Sequence, residues 1–288
     1  WACLVAPGVV LNKDGSFHTT FRYRGPDLES STQEELVSIM ARVNNVLRRF
    51  GSGWALFFEA QRSEVHDYPE SEFPIAAAWL VDEERALQAE EAGARFQSNY
   101  YLTLLWLPPA DATGKAEKAL ITRPETIEAE GWRQRLETFQ QHAARVYDLL
   151  STCLAEITPL DDDGTLTYLH STVSSKRHPV VTPELPVFLD AILADEPFTG
   201  GLEPMIGEAH LRTLTILGFP ASTLPGILDE LNRQGFSYRW ATRFIAMDKA
   251  EAEKLLSKQR RHWFAKRKSV STVLRETLFN AQAALGEN

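Results

Sequence analysis

Residues 258–268 read Lys-Gln-Arg-Arg-His-Trp-Phe-Ala-Lys-Arg-Lys and place six Lys/Arg side chains around two adjacent aromatics. Such a mixture suits contact with an anionic partner. The cations would meet lipid headgroups or nucleic-acid phosphates, and Trp263 and Phe264 would anchor in the apolar boundary or stack on bases. The candidate contact residues are Lys258, Arg260, Arg261, Trp263, Lys266, Arg267 and Lys268. The competing account is a solvated helix face with Trp263 in the core, because Leu256, Trp263, Val270, Val273 and Leu274 share one side of a helix. A second group sits on strands. Arg239 and Arg243 flank Trp240, and Arg62 ends another apolar strand. A guanidinium beside aromatics can stack on them and hold a carboxylate, either at an interface or inside the molecule. An internal ion pair is the plainer account.

Other chemistries fare worse. A nucleotide phosphate loop needs Gly-x4-Gly-Lys-Ser/Thr, so that bare amides cradle phosphate and the hydroxyl holds Mg²⁺. The Gly114-Lys115 pair has Pro109 at the first glycine position and Ala116 after the lysine, and fails twice. His170 and His178 lack a cysteine or acidic partner at zinc-ligand spacing, so they read as loop histidines. Cys3 and Cys153 have no adjacent acid–base motif, and Gly-x-Ser-x-Gly does not occur. Asp161, Asp162 and Asp163 have neither EF-hand spacing nor its flanking helices, and read as a solvated turn. No catalytic, metal or cofactor residue is expected.

The chain has 288 residues with 44% hydrophobic and 24% charged side chains, the composition of a soluble globular protein. No apolar run is long enough to span a bilayer, and no signal peptide stands at the start. Two cysteines are too few for a disulfide framework and favour a reducing compartment. The chain opens on Trp1 without an initiator Met, so residues upstream are expected. Its net charge of −9 is uneven: Lys254 to Arg275 holds eight Lys/Arg and no acid, which leaves −17 on the rest. That balance argues against a general nucleic-acid binder but leaves a local anionic partner open.

The elements that must carry these residues follow from periodicity. Gly53 to Arg62 reads as a central strand, apolar on both faces as far as Glu59. Before it come a Val9–Tyr23 hairpin turned at Asp14-Gly15, and a helix from Thr32 to Phe50 stopped by Gly51. After it come a helix over Val81–Gln97, a strand over Tyr100–Leu107, a polar loop, a long helix over Glu125–Ile157, and a short strand over Thr165–Val173. The fold expected is α+β: a ferredoxin-like, split βαβ antiparallel sheet with helices on one face. The first unit would span 1–173 with an inserted helix near 81–97. Residues 174–204, rich in proline, would be a linker or cover. A second, incomplete α+β unit would fill 205–288, with a strand at Glu208–Gly218, a helix capped by Ser222 or Thr223, a strand at Phe236–Met247, and a basic helix from Lys249 to Ala284.

Several separated stretches resemble one family. They are Trp1–Ser16, Asn44–Ala55, Val81–Arg85, Tyr101–Pro109, Pro225–Asp229 and Tyr238–Arg243. Together they resemble the N-terminal region of the TrbE proteins, within the CagE/TrbE/VirB ATPases of type IV secretion and conjugation. The resemblance implies a full-length ATPase with ATP and Mg²⁺ held by Walker motifs, none of whose positions is present here. It implies a hexameric machine at the cytoplasmic face of the bacterial inner membrane, powering pilus biogenesis and substrate transfer. Its N-terminal region would then be a non-catalytic docking domain for a TrbD-like small membrane subunit and scaffold subunits. The alternative is a module that binds nucleic acid or an anionic membrane through the basic helix.

Overall fold

The computed structural model describes residues 1–27, 29–65, 68, 71–91, 93–108, 124–216, 218 and 221–264. Strands β1 (Cys3–Ala6), β2 (Val9–Leu11) and β3 (Phe17–Arg24) form the opening meander. The turn between β2 and β3 is the expected one, and Gly15 sits at φ 84°, a region that glycine enters without steric cost. Helix α1 (Gln33–Leu47) begins at a capping box: Thr32 Oγ1 accepts from Glu35 N, and the Glu35 carboxylate accepts from Thr32 N. Strand β4 (Trp54–Val65) follows, then α2 (Ala76–Glu91), β5 (Arg95–Trp106), α3 (Pro124–Ser151), β6 (Glu156–Pro159) and α4 (Asp162–Val173). After α5 (Leu189–Leu193) come three two-residue strands, β7 (Phe198–Thr199), β8 (Met205–Ile206) and β9 (Ala209–His210), which form a small separate sheet. Strand β10 (Tyr238–Ile245) and a helix α6 over residues 249–264 complete the described chain.

The fold is α+β, and every strand pair among the described residues is antiparallel. The main sheet runs β1-β2-β3-β5-β4-β10. β3 also pairs with β6, so two strands share one of its edges: β2 beside Phe17–Thr19 and β6 beside Phe21–Arg24. β4 is central, as its sequence predicts, with twelve residues paired to β5 and eight to β10. Successive strand residues face opposite sides. One side of the sheet carries Phe17, Phe21, Trp54, Leu56, Leu102 and Leu104, all buried. It is covered by α3, whose Phe139 stacks on Phe17 and Trp54, both at 5.8 Å between ring centroids. The other side carries His18, Thr20, Glu59, Tyr101 and Thr103. There α4 lies over the sheet, and the buried Leu189 and Leu193 of α5 join Val10, Leu166, Tyr168 and Leu169 in a second core. Helices therefore occupy both faces, where the sequence led us to expect one.

That second layer comes from the stretch read as a strand over Thr165–Val173, which is helical. Its Thr and Val residues favour extended chain, but Asp161 caps a helix there, accepting from Gly164 N at 2.8 Å, and Asp162 and Asp163 occupy the first turn. The fourth strand of the expected succession is instead β6. Helix α2 starts five residues earlier than its periodicity suggests, and Arg95 already belongs to β5. The Glu208–Gly218 strand shrinks to Ala209–His210. Alternation alone does not make a strand without a ladder partner, and among the described residues of this stretch only those two find one, in β8. The helix expected after Ser222 is a short 3₁₀ turn, Asp229–Arg233.

The chain divides into two compact units, residues 1–49 with 53–245 and residues 50–52 with 246–288. The sequence places its divisions at 174–204 and 205; the structure puts β10 in the main sheet beside β4. Within the second unit, Asp248 N donates to Ser52 Oγ at 3.0 Å, and the Ser52 hydroxyl donates to the Glu251 carboxylate. A Cβ on Gly51 would come within 2.7 Å of Asp248 Oδ1, so a side chain there would have to displace that carboxylate. The polar loop around Gly114-Lys115, the residues Lys266, Arg267 and Lys268, and the expected continuation of α6 to Ala284 lie outside the described residues.

Candidate functional site

Antiparallel register decides where the strand arginines go. Arg239 and Arg243 lie on one side of β10 and face the α4 layer, while Trp240 faces the α3 layer with Arg62, the partner of Tyr238. The structure thus separates the group that the sequence links. Arg239 makes an ion pair through Nε with Glu59 of β4, and their side chains are only 26% and 7% exposed. Its Nη1 donates to the Ser171 carbonyl at 2.8 Å, at the C-terminal end of α4 where the helix dipole favours a cation. Arg62 donates through Nε to the Gln234 carbonyl at 3.0 Å and lies over the Phe96 ring at 4.9 Å. Trp240 Nε1 donates to Thr242 Oγ1 at 3.0 Å. Arg243 is exposed. Arg239 and Glu59 thus form an ion pair within the sheet.

Glu59 is the centre of a polar chain that the sequence did not reveal. Its carboxylate accepts from Tyr168 Oη at 3.0 Å and from Gln61 Nε2 at 2.7 Å. Thr103 Oγ1 donates to Tyr168 Oη at 3.4 Å and meets Thr20 Oγ1 at 2.8 Å. Burial first, and the Glu59 charge second, push the Tyr168 hydroxyl well above its ordinary pKa, so at neutral pH it stays a donor. Arg177 also donates to the Ser171 carbonyl at 2.8 Å; burial, then the Arg239 charge, lowers its pKa. The network joins β3, β4, β5, β10 and α4. In it one carboxylate is surrounded by donors: the Tyr168 hydroxyl, the Gln61 amide and the Arg239 guanidinium. The signal available beforehand was Glu59 itself, the first charge on an apolar strand.

A smaller polar group lies at the end of α4. His170, fully buried, meets the His178 ring at 4.4 Å between centroids with the planes tilted by 59°, and its Nε2 is 3.3 Å from Asp195 Oδ1 without hydrogen-bond alignment. The Ser174 hydroxyl and the Lys176 ammonium hold the Asp195 carboxyl down at about 2. Glu196 accepts from Ser174 Oγ and from Ser175 N at 3.0 and 2.7 Å. Among the described residues no three His, Cys, Asp or Glu side chains could hold a metal ion. Of the two histidines read from the sequence as loop residues, His178 is an exposed loop residue and His170 is instead buried in α4.

The basic helix α6 is amphipathic in a definite way. Ala252, Leu256 and Trp263 recur at helical spacing on one side, and Lys254, Lys258 and Arg261 on the opposite side. Trp263 is 73% exposed and Phe264 55%. Trp263 is therefore not in a core among the described residues; Val270, Val273 and Leu274, which the core account placed beside it, lie outside them. Arg260 Cζ lies 5.7 Å from the Phe264 ring centroid. No helix among the described residues is long and apolar enough to cross a membrane.

The class this defines has an α+β sheet in its first unit and a basic, amphipathic helix in its second. Residues 8–114 match the family described as Type IV secretion system ATPase VirB4/TrbE, N-terminal domain. Over 279 residues the chain is 31% identical to a conjugal transfer protein TrbE of Rhizobium radiobacter, covering 91% of this chain and 34% of that protein. Sinorhizobium fredii carries a probable conjugal transfer protein TrbE in two pieces, and both are similar to this chain. The first is 34% identical over 129 residues, covering 43% of this chain and 87% of that piece. The second is 35% identical over 101 residues, covering 35% of this chain and 15% of that piece. The chain belongs to the VirB4/TrbE family, and it spans about a third of the length of the Rhizobium relative.

Proposed function

We propose that this chain is a non-catalytic assembly and docking region of a type IV secretion ATPase acting in conjugation. The observation that carries the reading is the match to the family's N-terminal domain in a sequence that contains no Gly-x4-Gly-Lys-Ser/Thr. ATP and Mg²⁺ would be bound by a motor belonging to the full-length protein. The region would sit at the cytoplasmic face of the inner membrane, within a hexamer, against a TrbD-like small membrane subunit and scaffold subunits. The experiment is a turnover assay on the purified chain with ATP and Mg²⁺. Background-level hydrolysis and no saturable nucleotide binding are expected; Mg²⁺-dependent turnover by this chain alone would overturn the reading.

The exposure of Trp263 and Phe264 beside Lys258, Arg260 and Arg261 favours a second element of the reading. This helix, with Lys266, Arg267 and Lys268 beyond it, contacts an anionic partner, and a membrane surface fits its opposed apolar and basic sides. Co-sedimentation with anionic vesicles should exceed that with neutral ones and fall with salt. Single-stranded DNA bound at low salt without vesicle binding would replace the membrane by nucleic acid.

A further inference from the structure

Strand β10 ends the main sheet: among the described residues, no strand lies beyond it. Its ladder with β4 runs through all eight residues without a bulge. Alternate residues of an antiparallel edge turn their N–H and C=O groups away from the neighbour they already have. Edges of this kind are normally blunted by proline, lysine or a bulge. Residues 238–245, Tyr-Arg-Trp-Ala-Thr-Arg-Phe-Ile, contain no proline or lysine, and one of the two arginines is drawn inward to Glu59. The outer half of the strand is the more open: Phe244 is 53% and Ile245 54% exposed. What such an edge binds is set by its backbone, and that is another extended strand.

The side chains point to which strand. If two copies of β10 met antiparallel about a two-fold axis perpendicular to the sheet, residues on one face would stay on that face across the join. With the axis at Thr242, Trp240 of each copy stands opposite Phe244 of the other, and Ala241 stands opposite Arg243. Arg239 then meets Ile245, and no arginine faces an arginine. Moving the axis one residue, to Ala241, sets Arg239 against Arg243 twice and takes Phe244 from Trp240 to Tyr238. Like charges directly opposite are unfavourable and aromatic pairs favourable, so the strand is complementary to itself in the first register and not in the second. We propose that β10 is a homotypic docking edge: a second copy of this chain adds its β10 about a dyad at Thr242, giving one continuous sheet through both copies. This contact is isologous and closes as a pair.

The test is sedimentation velocity on the whole chain across a wide concentration range, with cysteine cross-linking in a background where Cys3 and Cys153 are serine. A concentration-dependent dimer is expected. Thr242→Cys alone should cross-link to itself under mild oxidation. Ala241→Cys and Arg243→Cys should each fail alone and cross-link when the two are mixed. Ala241→Arg, at an exposed position, should raise the dimer Kd about tenfold or more, and adding Arg243→Glu should restore it. Circular dichroism on each variant separates unfolding from dissociation. A monomer at every concentration overturns the proposal, whether its β10 amides exchange freely or are protected by another part of the same chain. Self-cross-linking at Ala241 in place of Thr242 overturns the register.

Discussion

Replacing Arg239 with Met keeps most of the side-chain volume and removes the cation paired with Glu59. Glu59 stays behind at 6% exposure with two donors, Tyr168 Oη and Gln61 Nε2, but without that ion pair. Breaking one side of a buried ion pair costs about 3–5 kcal/mol, because the remaining charge keeps its desolvation penalty. Arg239 retains 26% of its side chain in solvent, so the lower end, about 3 kcal/mol, applies. The second change, Glu59→Gln, removes the stranded charge while the amide oxygen still accepts from Tyr168. Urea unfolding of wild type, both single variants and the double variant gives the coupling directly. The double variant should be less destabilised than the sum of the singles by at least about 1.5 kcal/mol. Additive losses, or an Arg239→Met loss below about 1 kcal/mol, would refute the claim that this pair fastens β10 to the sheet.

Trp54→Ala should cost about 3–5 kcal/mol, seen as a lower thermal midpoint, since it empties the stack between Trp106 and Phe139. Burial holds the His18 pKa at about 4, and Asn12 donates to Nδ1 of the neutral ring. Its contribution is therefore complete above about pH 6.5 and is lost as pH falls toward 4, by about 3 kcal/mol in all. His18→Gln should flatten that acid slope in urea melts at stepped pH, and an unchanged slope would show the burial to be misjudged. Asp161→Ala should lower stability by about 1 kcal/mol through loss of the α4 cap, measured by the same urea melts.

Local chemistry was the legible portion of the fold. Asp14-Gly15 announces its turn, Thr32 and Glu35 announce a helix start, and the apolar run from Trp54 announces a strand buried on both sides. Each signal lies within a few residues of what it controls. The stretch Thr165–Val173 misled because its β-branched residues favour strand, while the Asp161 cap and the packing of Leu166 and Leu169 favour helix, and packing decided. The Glu59–Tyr168 contact joins residues 109 apart, and no spacing rule reaches that far. For the basic helix, the sequence supplied charge and periodicity but not exposure, and exposure is what distinguishes a docking helix from a core one.

The place of β10 also bears on how the protein is made. β4 gains its last neighbour from a strand that begins about 170 residues further along the chain. At roughly 5–20 residues per second, a ribosome needs about 10–35 s to cover that interval. Once β5 has been made, and until β10 follows, β4 has β5 on one flank and an open ladder on the other, with Leu56, Phe57 and Phe58 along it. Nascent chains on one crowded messenger could join there before their own closing strand emerges, so expression yield should respond to translation speed upstream of Tyr238.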